Sequence, residues 1–105
     1  MVRVTGSYFW RQGASFDFDY YATIHMALTR RQLTPHGLTR LESDRFLIDG
    51  TPNTGDLIAA SHAYFDGIAQ ARAAMAAARE VLLSDVPKYT TLVPEIKLSI
   101  VTTHT

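Results

Sequence analysis

Apolar and polar residues alternate from Val2 to Trp10. Val2, Val4, Tyr8 and Trp10 share one parity, and Arg3, Thr5, Ser7 and Phe9 the other. A period of two predicts a half-buried strand. After a short loop at Gln12–Ser15, marked by Gly13, the period changes. From Phe16 to Leu33 the apolar residues recur at helical spacing. At about 100° per residue from Phe18, one side of the helix collects Ile24, Leu28, Tyr21, Gln32, His25, Phe18, Thr29 and Ala22. The other side collects Asp19, Thr23, Ala27, Arg30 and Arg31. Tyr21 and His25 lie near the middle of the inner side, one turn apart.

The ends of this helix carry their own signals. Asp17 is placed to accept a first-turn N–H as an N-cap, and Phe16 to pack on Tyr21 as a hydrophobic staple. Asp19 sits at the positive end of the helix dipole, and Arg30 and Arg31 at the negative end. Pro35 and Gly37 stop the helix. A second strand follows from Leu38 to Ile48. It carries Arg40, Glu42, Asp44 and Arg45, a charge load that fits an edge position. Gly50 to Asp56 is a turn. Leu57 to Phe65 is a third strand, with Ile58, Ala60, His62 and Tyr64 on one face.

Asp66 is the predicted cap of a second helix from Gly67 to Ser84. Ile68, Ala71, Met75, Ala78 and Leu82 recur there at steps of three and four. Seven alanines between Ala69 and Ala78 favour helix and permit close approach to a sheet. Asp85 to Val93 reads as a loop around Pro87, and Glu95 to Thr103 as a last strand with Ile96, Leu98 and Ile100 on one face. The order is β-α-β-β-α-β, an α+β fold of the ferredoxin-like type. Its two helices cover one face of a four-stranded antiparallel sheet. The outward parity, with Arg3, Thr5, Ser7, Phe9, Lys97, Ser99 and Val101, is mixed. It permits either a solvated sheet or a dimer interface.

Composition narrows the function. The 105 residues fit a single domain, 1–105, and 47% of them are hydrophobic. Ten basic and ten acidic residues cancel, so no basic excess is present to hold a phosphate backbone, and nucleic acid is not an expected partner. No apolar run is long enough to span a membrane, and Met1-Val2-Arg3 lacks the apolar core of a signal peptide. The absence of cysteine removes disulfides, thiolate chemistry and cysteine-ligated metal centres, and fits a cytoplasmic location.

His25 is the leading candidate for chemistry. A neutral imidazole takes a proton from a phenol or an acidic carbon near neutral pH, and a helix facing a sheet would hold it in place. The competing reading is a core histidine hydrogen-bonded to a carbonyl or a tyrosine. Tyr21 is its neighbour on the stripe, either orienting a ligand or filling the core. Tyr8, His62 and Tyr64 come next. If Ile58 faces inward, His62 and Tyr64 share the space of His25; if Phe65 faces inward, they face a partner subunit. Tyr89 either covers a pocket or anchors its loop. His25, His36, His62 and His104 show no HxH, HxxxH or HExxH spacing, so no metal site is expected. His36 fits a turn and His104 a solvated terminus. No phosphate loop, dinucleotide fingerprint or nucleophile elbow is present. Two helices on four strands leave little room for haem or flavin, so no cofactor is expected.

Several segments together resemble the EthD family of the dimeric α/β-barrel superfamily. They are Gly13-Ala14-Ser15-Phe16-Asp17 with Tyr20-Tyr21, His25-Met26 and Leu28; Gly37-Leu38; Ala63-Tyr64-Phe65-Asp66; and Asp85-Val86-Pro87-Lys88-Tyr89-Thr90 followed by Pro94-Glu95-Ile96. Departures are Phe9, where proline is common, Ala27 after His25-Met26, again in place of proline, and Lys88-Tyr89 in place of Asn-Phe. The resemblance implies a homodimer with its sheets face to face, and a small-molecule pocket between helices and sheet in each subunit. It also implies an oxidoreductase-like label. The expectation is a small cofactor-independent enzyme of oxygenase, decarboxylase or isomerase type, with His25 as general base acting on a small hydrophobic or phenolic molecule. The alternative is a non-catalytic carrier or accessory protein using the same pocket.

Overall fold

The computed structural model describes residues 1–105. Strand β1 (Val2–Phe9) is central. It pairs antiparallel with β3 (Leu57–Phe65) on one side and β4 (Glu95–Ile100) on the other, and β2 (Arg40–Arg45) pairs with β3. The sheet order is β2-β3-β1-β4. Helix α1 spans residues 18–33 in three runs: α-helical Phe18–Tyr20, a π-helical turn Tyr21–His25, and α-helical Met26–Leu33. A 3-10 turn, Thr34–His36, ends at Gly37, whose φ of 94° is the left-handed conformation that glycine adopts freely. Helix α2 (Ile68–Asp85) runs into the 3-10 turn Val86–Lys88. The α+β, ferredoxin-like arrangement read from the sequence is the observed one, with β2 at an edge.

Both helices cover one face of the sheet. Val2 and Val4 of β1, Ala63 and Phe65 of β3, Leu33 of α1 and Ala71, Ala74 and Ala78 of α2 form one buried cluster. The alanines bring the α2 backbone close to its neighbours, while Phe65 and Leu33 supply bulk. Full burial of side chains this large is worth about 1.5–3 kcal/mol each. A second cluster joins Tyr8, Tyr21, Ile58, Ala59, Val86, Tyr89 and Leu92.

Several expectations need correction. On α1 the buried residues are Tyr21, His25, Thr29 and Leu33, four apart, whereas Ile24 is 55% exposed and Ala22 is exposed. Thr29 and Leu33 turn the buried face away from Ile24, which lies about 140° from Thr29 at 100° per residue. The N–H of Met26 reaches back five residues to the carbonyl of Tyr21, and the wider turn shifts the phase of everything before it. Asp66 does not cap α2. Gly67 holds the N-cap position in extended conformation, with no side-chain hydrogen bond, and Ile68 in the first turn is 45% exposed. Strand β2 is shorter than 38–48, and Leu47 beyond it is almost fully exposed. β1 stops at Phe9 and β4 at Ile100. The pairing of β1 with β3 also slips: Tyr8 faces Ala59 but Phe9 faces Leu57, leaving Ile58 as a bulge. Ile58 and Ala59 are therefore both buried, and parity counted from Ile58 does not carry through the strand. From Ala59 on, the Phe65 parity faces the helices.

Candidate functional site

The π turn sets Tyr21 and His25 on the inner side of α1, their rings near-parallel with centroids 6.0 Å apart. Asp17 caps the helix start as expected, accepting from the N–H of Tyr20 at 3.1 Å, and Phe16 packs edge-on against Tyr21 at 5.2 Å. Thr29 donates to the carbonyl of His25 at 2.8 Å and braces the turn from the other side.

The imidazole of His25 is held from α2. Its Nδ1 lies 2.9 Å from Oδ2 of Asp85, the last residue of that helix. Tyr20 donates its hydroxyl to Oδ1 of the same carboxylate at 2.9 Å, and Lys88 Nζ stands 3.5 Å from that oxygen. A carboxylate at a helix C-terminus opposes the dipole, and here it is also buried. Burial works to raise the pKa of Asp85. The hydrogen bonds from His25 and Tyr20, with the charges of His25 and Lys88, outweigh it and hold the carboxyl below its usual value. An ionised carboxylate only accepts, so Nδ1 carries a proton, and when the ring gives up its other proton the lone pair is on Nε2.

His25 lines a cavity of about 60 Å³ between the helices and the sheet. At about 15 Å³ per water centre this is room for roughly four waters, well short of the ~300–1,000 Å³ of drug-sized pockets. Val4, Leu33, Leu41, Ala63, Met75 and Leu82 make it largely apolar; Tyr8, Ser61 and Thr29 add polar atoms and Arg79 a charge. Tyr8 and Tyr89 share a hydrogen bond at 2.5 Å between their hydroxyls. Burial pushes the Tyr8 phenol up to about 12, and burial first, then Tyr8, raises that of Tyr89. Tyr89 is 3% exposed and packs 4.7 Å from the His25 ring between centroids. Its loop is tied to the start of α1 by Asp17 N–H to the Tyr89 carbonyl at 2.7 Å and by Thr90 to the Ser15 carbonyl at 2.7 Å. Tyr89 is anchored with its loop, and it is not one of the residues that line the cavity.

The structure thus brings together Tyr8, Tyr21, His25 and Tyr89. His62 and Tyr64 lie on the opposite face of the sheet. There Thr5 donates to His62 Nδ1 at 3.3 Å, His62 Nε2 donates to Asp44 at 2.7 Å, and Tyr64 donates to Glu42 at 2.8 Å. Arg40 stands over the Tyr64 ring at 5.6 Å. These two residues do not reach the His25 cavity, because the bulge at Ile58 reverses the parity from which that placement followed. Sequence reasoning also passed over Asp85, Tyr20, Ser61 and Gly6. Asp85 left a signal, an acid where a helix end favours a cation, and Gly6 left another, a glycine in mid-strand.

Fold and site define a ferredoxin-like protein with a histidine–aspartate pair beside a cavity between helices and sheet. Among solved structures the chain is similar to an EthD-like protein from Ralstonia eutropha JMP134, with a TM-score of 0.77 and 22% identity over 93% of this chain and 88% of that one. It is also similar to an EthD-family protein from Bacillus halodurans C-125, with a TM-score of 0.56 and 25% identity over 90% of this chain and 96% of that one. No protein-family model matches the chain, and no curated protein matches it. The chain has the EthD-like fold, and the resemblance read from its sequence is borne out at that level. No helix is long and apolar enough to cross a membrane.

Proposed function

We propose that this chain is a cofactor-independent, oxidoreductase-like enzyme that begins its reaction by removing a proton from a small hydrophobic or phenolic molecule. The observation that carries this reading is the 2.9 Å contact from the buried Asp85 carboxylate to His25 Nδ1. It fixes the ring and its tautomer and leaves Nε2 as the base of a side chain that lines an apolar cavity. The ligand C–H or O–H bond breaks, its electron pair stays on the ligand, and the proton goes to Nε2. Asp85 then stabilises the imidazolium, in the manner of a base-orienting carboxylate. Tyr8, Tyr21 and Tyr89 shape the site around the ring. The working form is a cytoplasmic homodimer, the second copy packing on the sheet face that carries His62, Tyr64 and the 42% exposed Phe9.

Hydrogen exchange tests the step without the rest of the reaction. Small enolisable carbonyl compounds are incubated with the protein in D2O, and deuterium entering the acidic carbon is followed by NMR. Exchange above buffer that His25→Ala loses, in a variant with unchanged circular dichroism, supports the reading. Equal exchange by His25→Ala removes it, and absence of exchange across the series leaves the carrier role in its place.

A further inference from the structure

Ser61 lies on the floor of the His25 cavity, on the strand that pairs with β1, and its register partner is Gly6. A Cβ built on Gly6 would come 3.1 Å from Ser61 Oγ and 3.4 Å from the Cδ1 of Ile96. Any other residue at position 6 would therefore press on the serine hydroxyl and narrow the cavity beside it. Glycine in mid-strand weakens the strand, and its use marks a place where something approaches closely. Tyr21 packs against Tyr8, another residue of the cavity lining, with ring centroids 5.5 Å apart. Tyr21 is 2% exposed, and its hydroxyl is buried without a protein hydrogen bond. Buried hydroxyls are almost always satisfied, and an exception calls for a reason. Burial first, then Tyr8, raises the pKa of this phenol, and a side-chain interaction with Ser61 lowers it. The cavity wall is otherwise mostly apolar around this point, with Val4, Leu33, Ala63, Met75 and Leu82.

We infer that Ser61, backed by the Tyr21 hydroxyl and given space by Gly6, seats the ligand's oxygen atom in the His25 cavity. A small turn of the serine lets Tyr21 donate to Ser61 Oγ, and the serine proton then points to the ligand. The pair is a donor chain of the kind that strengthens as its acceptor gains negative charge. The ligand class follows: a small, mainly apolar molecule whose oxygen becomes anionic when a proton leaves, that is, a phenol or an enolisable carbonyl compound. This rests on the general-base reading, in which His25 receives that proton. Ser61 and Tyr21 transfer no proton; they are positioning groups for the oxygen.

Phenol and toluene are the probes, since they differ in the hydroxyl and little in shape. Both are titrated into the intact protein, with the His25 ring signals followed by NMR. The wild type binds phenol about tenfold more tightly than toluene, the range of one or two well-made hydrogen bonds. Ser61→Ala brings the two affinities within about twofold while toluene binding is unchanged. Tyr21→Phe lowers the phenol preference about threefold without lowering Tm, because it removes an unpaired hydroxyl rather than a bond. A fall in Tm for Tyr21→Phe with an unaltered preference would make the tyrosine structural only. A phenol preference that survives Ser61→Ala overturns the seat and leaves the His25 site standing. Failure of both probes to move the His25 signals overturns the cavity reading along with it.

Discussion

His25 and Asp85 are sixty residues apart in the chain and 2.9 Å apart in the fold, each with a side chain only 7% exposed. The contact joins the π turn of α1 to the C-terminal end of α2. It also gives the second oxygen of the carboxylate its partner, since Tyr20 and Lys88 both approach Oδ1.

Substitution of Asp85 separates its two roles. Asp85→Asn keeps the shape but presents an amide that can donate to Nδ1, which favours the wrong tautomer. Proton exchange by this variant is expected to fall about 10²–10⁴-fold with circular dichroism unchanged. Asp85→Ala leaves Tyr20 and His25 without a partner and costs about 2–3 kcal/mol in urea unfolding.

The lowered pKa of Asp85 fixes the direction of the acid response. The unfolded chain takes up the proton first, at about pH 3.9. Stability from this carboxylate is therefore complete above that value and lost as pH falls through the lower, folded pKa. Wild type should lose stability in this acid window more steeply than Asp85→Asn, as read by urea midpoints across a pH series.

At the alkaline end the sign reverses. Tyr8, Tyr20, Tyr21 and Tyr89 all have raised pKa values, with burial as the leading cause of each. Their contribution is whole below the unfolded tyrosine value of about 10 and declines as pH climbs through the folded values. Phenolate absorbance from these tyrosines should appear together with unfolding, not before it, in a spectrophotometric titration.

The Tyr8–Tyr89 pair is a test of coupling. Tyr8→Phe or Tyr89→Phe leaves the other hydroxyl buried and unpaired, at about 1–3 kcal/mol each. The double variant should cost clearly less than the sum, because it leaves no orphan. An additive result would mean that the two hydroxyls do not depend on each other.

The fold was largely written in the alternation of β1 and in the parity that ends at Phe65. Val2, Val4 and Tyr8 point inward as their spacing required, and Asp17 and Phe16 set the start of α1 as their types required. Three features were not legible. The π turn rests on a carbonyl of Tyr21 bonded five residues on, which no 100° projection contains. The bulge at Ile58 is a matter of pairing between two strands, and it decided the placement of His62 and Tyr64. Asp85 closed what read as a helix end and a loop; only the packing of α2 on α1 brings it to His25. Half of the candidate site could therefore be named from one helix, and its orienting partner could not.

The most direct test of His25 as a base is the state of its two ring nitrogens, measured by 15N NMR of the ring in the folded protein above neutral pH. Protonated-type Nδ1 and lone-pair-type Nε2, with the pattern lost in Asp85→Asn, is the predicted result. A proton on Nε2 in the wild type, with the lone pair on Nδ1 instead, would leave no free nitrogen away from Asp85, and would contradict the account.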